Sequence, residues 1–331
     1  MPQLRLDPIV SRWTLVEVDH SLSAQQYPQE TRQVQHKDVC PFCPGRESFT
    51  TLEVQALRPA GSQPNTPGWT VRTIPNKFPA LVNQGNLEKE GLGIYDLMSG
   101  IGAHEIIIET PDHDKQLVDL STEEMANVVQ QYHKRFVALS ADKRFKYVAM
   151  FKNFGTSAGA SVHHAHGQML ALPIVPKTVL EEIHGGQHYH EHHARCVFCD
   201  VINQEYADRE RIVAENNDFI AFCPFAPRYA FETWIMPKVH SHDFGAATPQ
   251  LLASCAAILQ DVLKRMKKTL GDPSYNFYLH TSPNGWGQLP YYHWHIEVMP
   301  KLTRSVGFEW ATGLHIVPTD PAKAANQLRA S

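Results

Sequence analysis

Cys40-Pro-Phe-Cys43 and Cys196-Val-Phe-Cys199 open the same series of features twice in this 331-residue chain, and that recurrence decides how the rest is read. After the first pair come Asn76-Lys-Phe-Pro-Ala80, an apolar strand His104-Glu-Ile-Ile-Ile-Glu109, and Pro111-Asp-His113. After the second come Phe222-Cys-Pro-Phe-Ala226, a strand Phe231-Glu-Thr-Trp-Ile-Met236, and Pro237-Lys-Val-His240. Each single histidine precedes an apolar stripe at helical period, over roughly 122–140 and 249–270, with Ser121 and Glu124 as a capping box in one and Thr248 as N-cap in the other. A β-rich stretch follows each helix (Tyr147-Val-Ala-Met-Phe151; Tyr275-Asn-Phe-Tyr-Leu279), then a Gly-containing loop and a strand opening on His164-Ala-His166 or His293-Trp-His295. The step from His113 to His164 is nearly the same as that from His240 to His293. The pattern predicts an α+β protein of two tandem domains, 1–175 and 190–331, each a mostly antiparallel sheet with a packed helix, joined near 172–195.

Composition narrows the function. Hydrophobic residues make up 43% and the formal net charge is -4, with no Lys/Arg block of the kind that binds nucleic acid or an acidic membrane surface. A small-molecule substrate is expected, with neither nucleic acid nor membrane as partner. No apolar run is long enough to span a bilayer, and Met1 to Asp7 lacks the order of a signal peptide, so a cytoplasmic location is expected. In a reducing compartment the two CxxC pairs suggest metal before disulfide. The remaining cysteines, Cys223 and Cys255, read as core residues. Of the 19 histidines, the run His184-Gly-Gly-Gln-His188-Tyr-His190-Glu-His192-His193 reads as a solvated linker, and Trp286 and Trp294 as packing residues.

Two thiolates from a CxxC loop, a distant histidine and the first histidine of a His-x-His pair make a tetrahedral Cys2His2 set. One set is Cys40, Cys43, His113 and His164; the other is Cys196, Cys199, His240 and His293. His163 competes with His164, and His242 with His240, but the chosen members keep the two halves in register. One or two zinc ions per chain are expected, closed by four protein ligands and therefore bracing loops without touching substrate.

Side chains two apart on a strand share a face, so within Ser161-Val-His-His-Ala-His-Gly-Gln168 the residues His164, His166 and Gln168 point the same way. With His164 on metal, His166 is free to act as a nucleophile on phosphorus, and Gln168 to donate to phosphoryl oxygens. Ahead of it, Asn153-Phe-Gly155-Thr-Ser-Ala-Gly159-Ala-Ser161 is rich in small residues whose backbone N–H groups can approach a phosphate. Asn153 and Ser161 are further candidates for charge stabilisation.

The segment Asn153-x-Gly155…Gly159…Ser161-x-x-His164-x-His166-Gly-Gln168 resembles the active-site segment of galactose-1-phosphate uridylyltransferases, a branch of the histidine-triad superfamily. The likeness extends to Leu4-Arg-Leu-Asp7-Pro-Ile, Asn76-Lys-Phe-Pro, His113 and His293-Trp-His295, and so covers nearly the whole chain. It implies two tandem histidine-triad-like domains, a homodimer, and ping-pong transfer of UMP between UDP-hexose and hexose 1-phosphate through a nucleotidyl-His166 intermediate. Gln168, where related hydrolases carry a histidine, implies transfer over hydrolysis. Asn76 and Phe78 would lie near the nucleoside, and Phe42 in the base pocket. The tail, Arg304-Ser305 and then Phe308-Glu-Trp-Ala-Thr-Gly313-Leu-His315, departs from the Gly-Tyr-Glu of the uridylyltransferases. With the second Cys2His2 set, it looks more like the branch of plant adenylyltransferases that act on ADP-glucose with phosphate, which is the alternative. A zinc-ribbon binding module is the distant one. The second repeat is expected to be structural, with His295 contributing to sugar or dimer contacts.

Overall fold

The computed structural model describes residues 1–30 and 36–331. In the first half, strands β1 (Gln3–Leu6) and β2 (Trp13–Val16) pair as a hairpin, followed by β3 (Gln55–Leu57) and β4 (Val71–Pro75). A second hairpin, β5 (Lys89–Leu92) and β6 (Tyr95–Met98), leads to β7 (Ala103–Ile108), α1 (Thr122–Ser140), β8 (Tyr147–Phe154) and β9 (His166–Leu172). Helices α2 (Lys177–His193) and α3 (Val197–Asp208) lead into β10 (Ile212–Glu215), β11 (Phe219–Phe222) and β12 (Thr233–Pro237). Then come α4 (Pro249–Leu270), β13 (Tyr275–His280), β14 (His295–Pro300), α5 (Gly307–Thr312), β15 (His315–Val317) and α6 (Pro321–Arg329).

The repeats do not make separate sheets. They share one of ten strands, in the order β10-β11-β12-β14-β13-β8-β9-β7-β4-β3. Reading outward from the β8–β13 seam, each half lays down its strands in the same spatial order. The seam is antiparallel, pairing Asn153 with Asn276 and Phe154 with Tyr275. Alternation along each strand gives the sheet two apolar faces. One carries Val148, Met150, Phe277 and Val298 and packs under α1 and α4, which lie side by side. The other carries Ile106 and Ile108 in the first repeat and Ile220, Phe222 and Met236 in the second, covered there by α2 and α3.

The capping box reads as expected, Ser121 Oγ accepting from the Glu124 N–H and the Glu124 carboxylate from the Ser121 N–H, and Thr248 caps α4. Cys223, Cys255 and Trp294 are core residues, whereas Trp286, also read as a packing residue, is exposed. Two other local readings are corrected. The His-rich run is not a linker but the body of α2. Its glycines survive in a helix because backbone presses on them: a Cβ on Gly185 would meet the Ile9 carbonyl oxygen at 1.7 Å, and one on Gly186 the Tyr291 carbonyl oxygen at 2.4 Å. Strands β9 and β14 open at His166 and His295, so His164 and His293 sit just before them, where their rings bond the Thr110 and Pro237 carbonyls.

Candidate active site and metal centres

The first CxxC turn, His113 after β7 and His164 before β9 converge beyond the end of β7 and the start of β9. Their donor atoms all lie within 4.8 Å of one another, and all four residues are buried. Cys43 Sγ is 3.4 Å from His113 Nδ1 and 3.6 Å from His164 Nδ1, and Cys40 Sγ is 3.6 Å from His164 Nδ1. His164 Nε2 lies 2.7 Å from the Thr110 carbonyl, which can only accept. The proton is therefore on Nε2, and the Nδ1 lone pair faces the two sulfurs, the tautomer a metal needs. The second quartet, Cys196, Cys199, His240 and His293, converges in the same way, with Cys199 Sγ 3.4 Å from His240 Nδ1 and His293 Nε2 2.9 Å from the Pro237 carbonyl. It is more open, since His240 is exposed and Cys199 half-buried. Two sulfurs and two imidazole nitrogens suit a tetrahedral zinc ion in either place.

His166 begins β9 two residues beyond His164. Its Nδ1 lies 2.8 Å from the His164 carbonyl, so Nδ1 carries the proton and Nε2 is left as a bare lone pair with no hydrogen-bond partner among the described residues. Burial, reinforced by the neighbouring Lys152 charge, lowers the His166 pKa to about 4, so the ring is neutral near pH 7. Two hollows meet at it. A cleft of about 230 Å³ is lined by Phe42, Asn76, Phe78, Ser161, His166 and Gln168. A smaller hollow of about 50 Å³ is lined by Asn153, Gly155, Ser161 and His166. The structure thus gathers the sequence-derived residues His166, Gln168, Asn76, Phe78, Asn153, Gly155 and Ser161 around these two hollows. Gly159 ends the turn Thr156–Ala158 nearby, at φ +87°. Gly155, at φ +82°, lies against Ser274 so closely that a Cβ would meet its Oγ at 1.8 Å.

Several residues at the site escaped the sequence reading. Lys152, in phase with Val148, Met150 and Phe154 on the buried face of β8, donates to Glu109 Oε2 at 2.6 Å and to the His166 carbonyl at 3.0 Å. Tyr132 from α1 donates to the other Glu109 oxygen, and a Cβ on Gly167 would lie 2.4 Å from the Tyr132 hydroxyl. A lysine in phase with a buried face was the readable sign, because such a charge demands a partner. From the other repeat, Asn276 Nδ2 donates to Asn153 Oδ1 at 2.8 Å and to the Ala158 carbonyl at 2.9 Å.

The second repeat copies the hook but not the free nitrogen. His295 Nδ1 lies 3.0 Å from the His293 carbonyl, while its Nε2 faces Glu297 at 3.6 Å and Glu182 at 3.9 Å. Burial opposes charge on that ring, but Glu297 and Glu182 outweigh it and raise the pKa. Glu182 also bonds His280 at 2.7 Å and Tyr292 at 3.0 Å, and Glu297 bonds Arg228 and Tyr278. These four residues, Glu182, His280, His295 and Glu297, form a third buried convergent group. His295 is wholly buried within it.

Fold and site define a duplicated α+β protein with a Cys/His quartet in each repeat and a cleft open to the His166 ring. Its sequence matches the profile of the galactose-1-phosphate uridyl transferase N-terminal domain over residues 1–176 and that of the C-terminal domain over 182–327. The chain belongs to the galactose-1-phosphate uridylyltransferase family. It is 34% identical to the ADP-glucose phosphorylase of Arabidopsis thaliana, over 99% of this chain and 92% of that one. To the galactose-1-phosphate uridylyltransferase of Thermotoga maritima it is 26% identical, over 99% and 98%. The crystal structure of the Arabidopsis thaliana ADP-glucose phosphorylase with bound ADP-glucose superposes with a TM-score of 0.82 at 32% identity, covering 100% of this chain and 99% of that one. Among the described residues no helix is long and apolar enough to cross a membrane.

Proposed function

We propose that this protein is a nucleotidyltransferase that carries a nucleoside monophosphate on His166 Nε2 and takes it from an ADP-hexose. The observation that carries the transfer chemistry is the state of His166: neutral, held by its Nδ1–H, with a free Nε2 where the two hollows meet. In the first half-reaction the Nε2 lone pair forms a bond to the α-phosphorus as the bond to the sugar phosphate oxygen breaks, and the hexose 1-phosphate leaves as the anion without needing a proton. In the second, an oxygen of inorganic phosphate or of a hexose 1-phosphate attacks the same phosphorus and Nε2 leaves. Both acceptors are already ionised, so positioning and charge stabilisation matter more than a general base. Gln168, Asn153, Ser161 and the backbone around Gly155 and Gly159 are assigned that stabilisation, and Asn76, Phe78 and Phe42 the nucleoside. Zinc in the first quartet would fix His164 and, through its carbonyl, the ring of His166. In the second quartet it would brace the start of α3.

The choice of adenine over uridine is supported by the 34% identity to the ADP-glucose phosphorylase, against 26% to the Thermotoga maritima uridylyltransferase over the same share of this chain. The family itself favours uridine as the second reading. Intact-protein mass after incubation with ADP-glucose or UDP-glucose separates them: an adenylyl adduct on the wild type, absent from His166→Gly, is expected. A uridylyl adduct alone would move the assignment to UDP-hexose, and no adduct with either on metal-replete protein would remove the covalent mechanism.

A further inference from the structure

Gln168 is hydrogen-bonded to His104, a residue to which the transfer chemistry above gives no part. His104 lies on β7, on the same face as Ile106 and Ile108, diagonally across from Gln168, whose direct partner on β7 is Ile106. The backbone N–H of Ala80 donates to His104 Nδ1 at 3.2 Å, which places the ring proton on Nε2; the Asn76 side-chain nitrogen also lies against the ring, 3.4 Å from Nδ1 and 3.2 Å from Nε2, and with that tautomer it can donate only to Nδ1. That Nε2–H donates to Gln168 Oε1 at 2.9 Å. The same residue anchors the nucleoside wall, since the Asn76 N–H donates to the His104 carbonyl at 2.7 Å and the Asn76 side-chain oxygen accepts from the Phe78 N–H at 2.9 Å.

A carboxamide has two ends of nearly the same shape and opposite function, one accepting and one donating. A phosphoryl oxygen is stabilised by the NH2 end and repelled by the oxygen, so an amide free to turn would present the wrong end part of the time. With Oε1 taken by His104, only the NH2 end of Gln168 is left for the cleft, and no hydrogen bond to another described residue claims it. We propose that His104 is a positioning residue, which locks the Gln168 amide with its NH2 toward the phosphoryl group transferred to and from His166. The proposal rests on the nucleotidyl-transfer reading above.

The two ring nitrogens of His104 can be replaced one at a time. Glutamine places a nitrogen donor near the position of Nε2 and gives up the acceptor for Ala80; asparagine places an acceptor near Nδ1 and gives up the donor to Gln168. The rate at which the nucleotidyl adduct forms on full-length, metal-replete enzyme is the measurement, by rapid quench and intact mass, together with kcat and KM for the nucleotide sugar. Gln168→Ala is expected to slow adduct formation by about 100-fold, the effect of losing one preorganised donor. His104→Asn should slow it by about 10-fold or more with KM changed by less than about threefold, and His104→Gln should stay within about threefold of wild type. The double variant His104→Asn/Gln168→Ala should be no slower than Gln168→Ala alone, because His104 has nothing left to aim. A fast His104→Asn with a slow His104→Gln would assign His104 to holding the 76–80 loop and overturn the proposal. So would effects that multiply in the double variant. Absence of any adduct on the wild type would instead overturn the transfer reading and this proposal with it.

Discussion

Lys152 shows how one residue ties stability to chemistry. It is buried with Glu109 and Tyr132 behind the nucleophile, and its cation is satisfied by the Glu109 carboxylate and the His166 carbonyl. Burial lowers the Lys152 pKa, and the Glu109 charge works against that. Removing one partner of such a pair leaves the other charge stranded, so Lys152→Met is expected to lower stability by about 3–5 kcal/mol. Adding Glu109→Gln should recover part of that loss, since the stranded charge is then gone. Chemical denaturation of the two variants checks this, and a double variant no more stable than Lys152→Met would mean that the pair is not the coupled unit its geometry describes. The sequence showed a lysine in phase with a buried strand face, but its partner Glu109 lies just past the end of β7, two strands away across β9, and no local pattern names it.

At the scale of an element, α2 is where sequence reading failed, for an identifiable reason. Two adjacent glycines and a polar, His-rich run lack helix propensity, and each interior glycine costs a helix about 1 kcal/mol relative to alanine. Packing reverses that ranking here, because the Ile9 and Tyr291 carbonyls occupy the space of the missing side chains. Gly185→Ala, stabilising in an isolated helix, is therefore expected to destabilise this protein by about 1–3 kcal/mol through overpacking. A thermal melt in which Gly185→Ala unfolds at a higher temperature than wild type would contradict that contact. By contrast α1 and α4 were legible to the residue, since their caps, Ser121 with Glu124 and Thr248, and their apolar stripes are all encoded within a few turns of chain.

At the scale of the molecule, the seam between the repeats makes them interdependent. β8 and β13 are central strands only because they pair with each other, α1 packs on α4, and Asn276 of the second repeat holds Asn153 beside the nucleophile of the first. Residues 1–176 expressed alone would expose β8 as an unpaired edge and the inner side of α1 to water. That fragment is expected to aggregate or to lack a cooperative unfolding transition, and to form no nucleotidyl adduct; a soluble fragment with a sharp transition would show that the seam is dispensable.

The sequence by itself determined the duplication, the α+β class and the two Cys/His quartets as groups, because ligand spacing, capping and strand alternation are written at short range. It also singled out His166 with Gln168. Tertiary structure decided which of two equivalent histidines is left free. His166 and His295 follow the same His-x-His pattern and hang from the same carbonyl hook. What separates them is what faces Nε2: an open hollow for His166, and the carboxylates of Glu182 and Glu297, the latter paired with Arg228, for His295. The charge and availability of an imidazole are set by neighbours through space, and those neighbours are brought together by the fold from α2, β14 and the loop before β12.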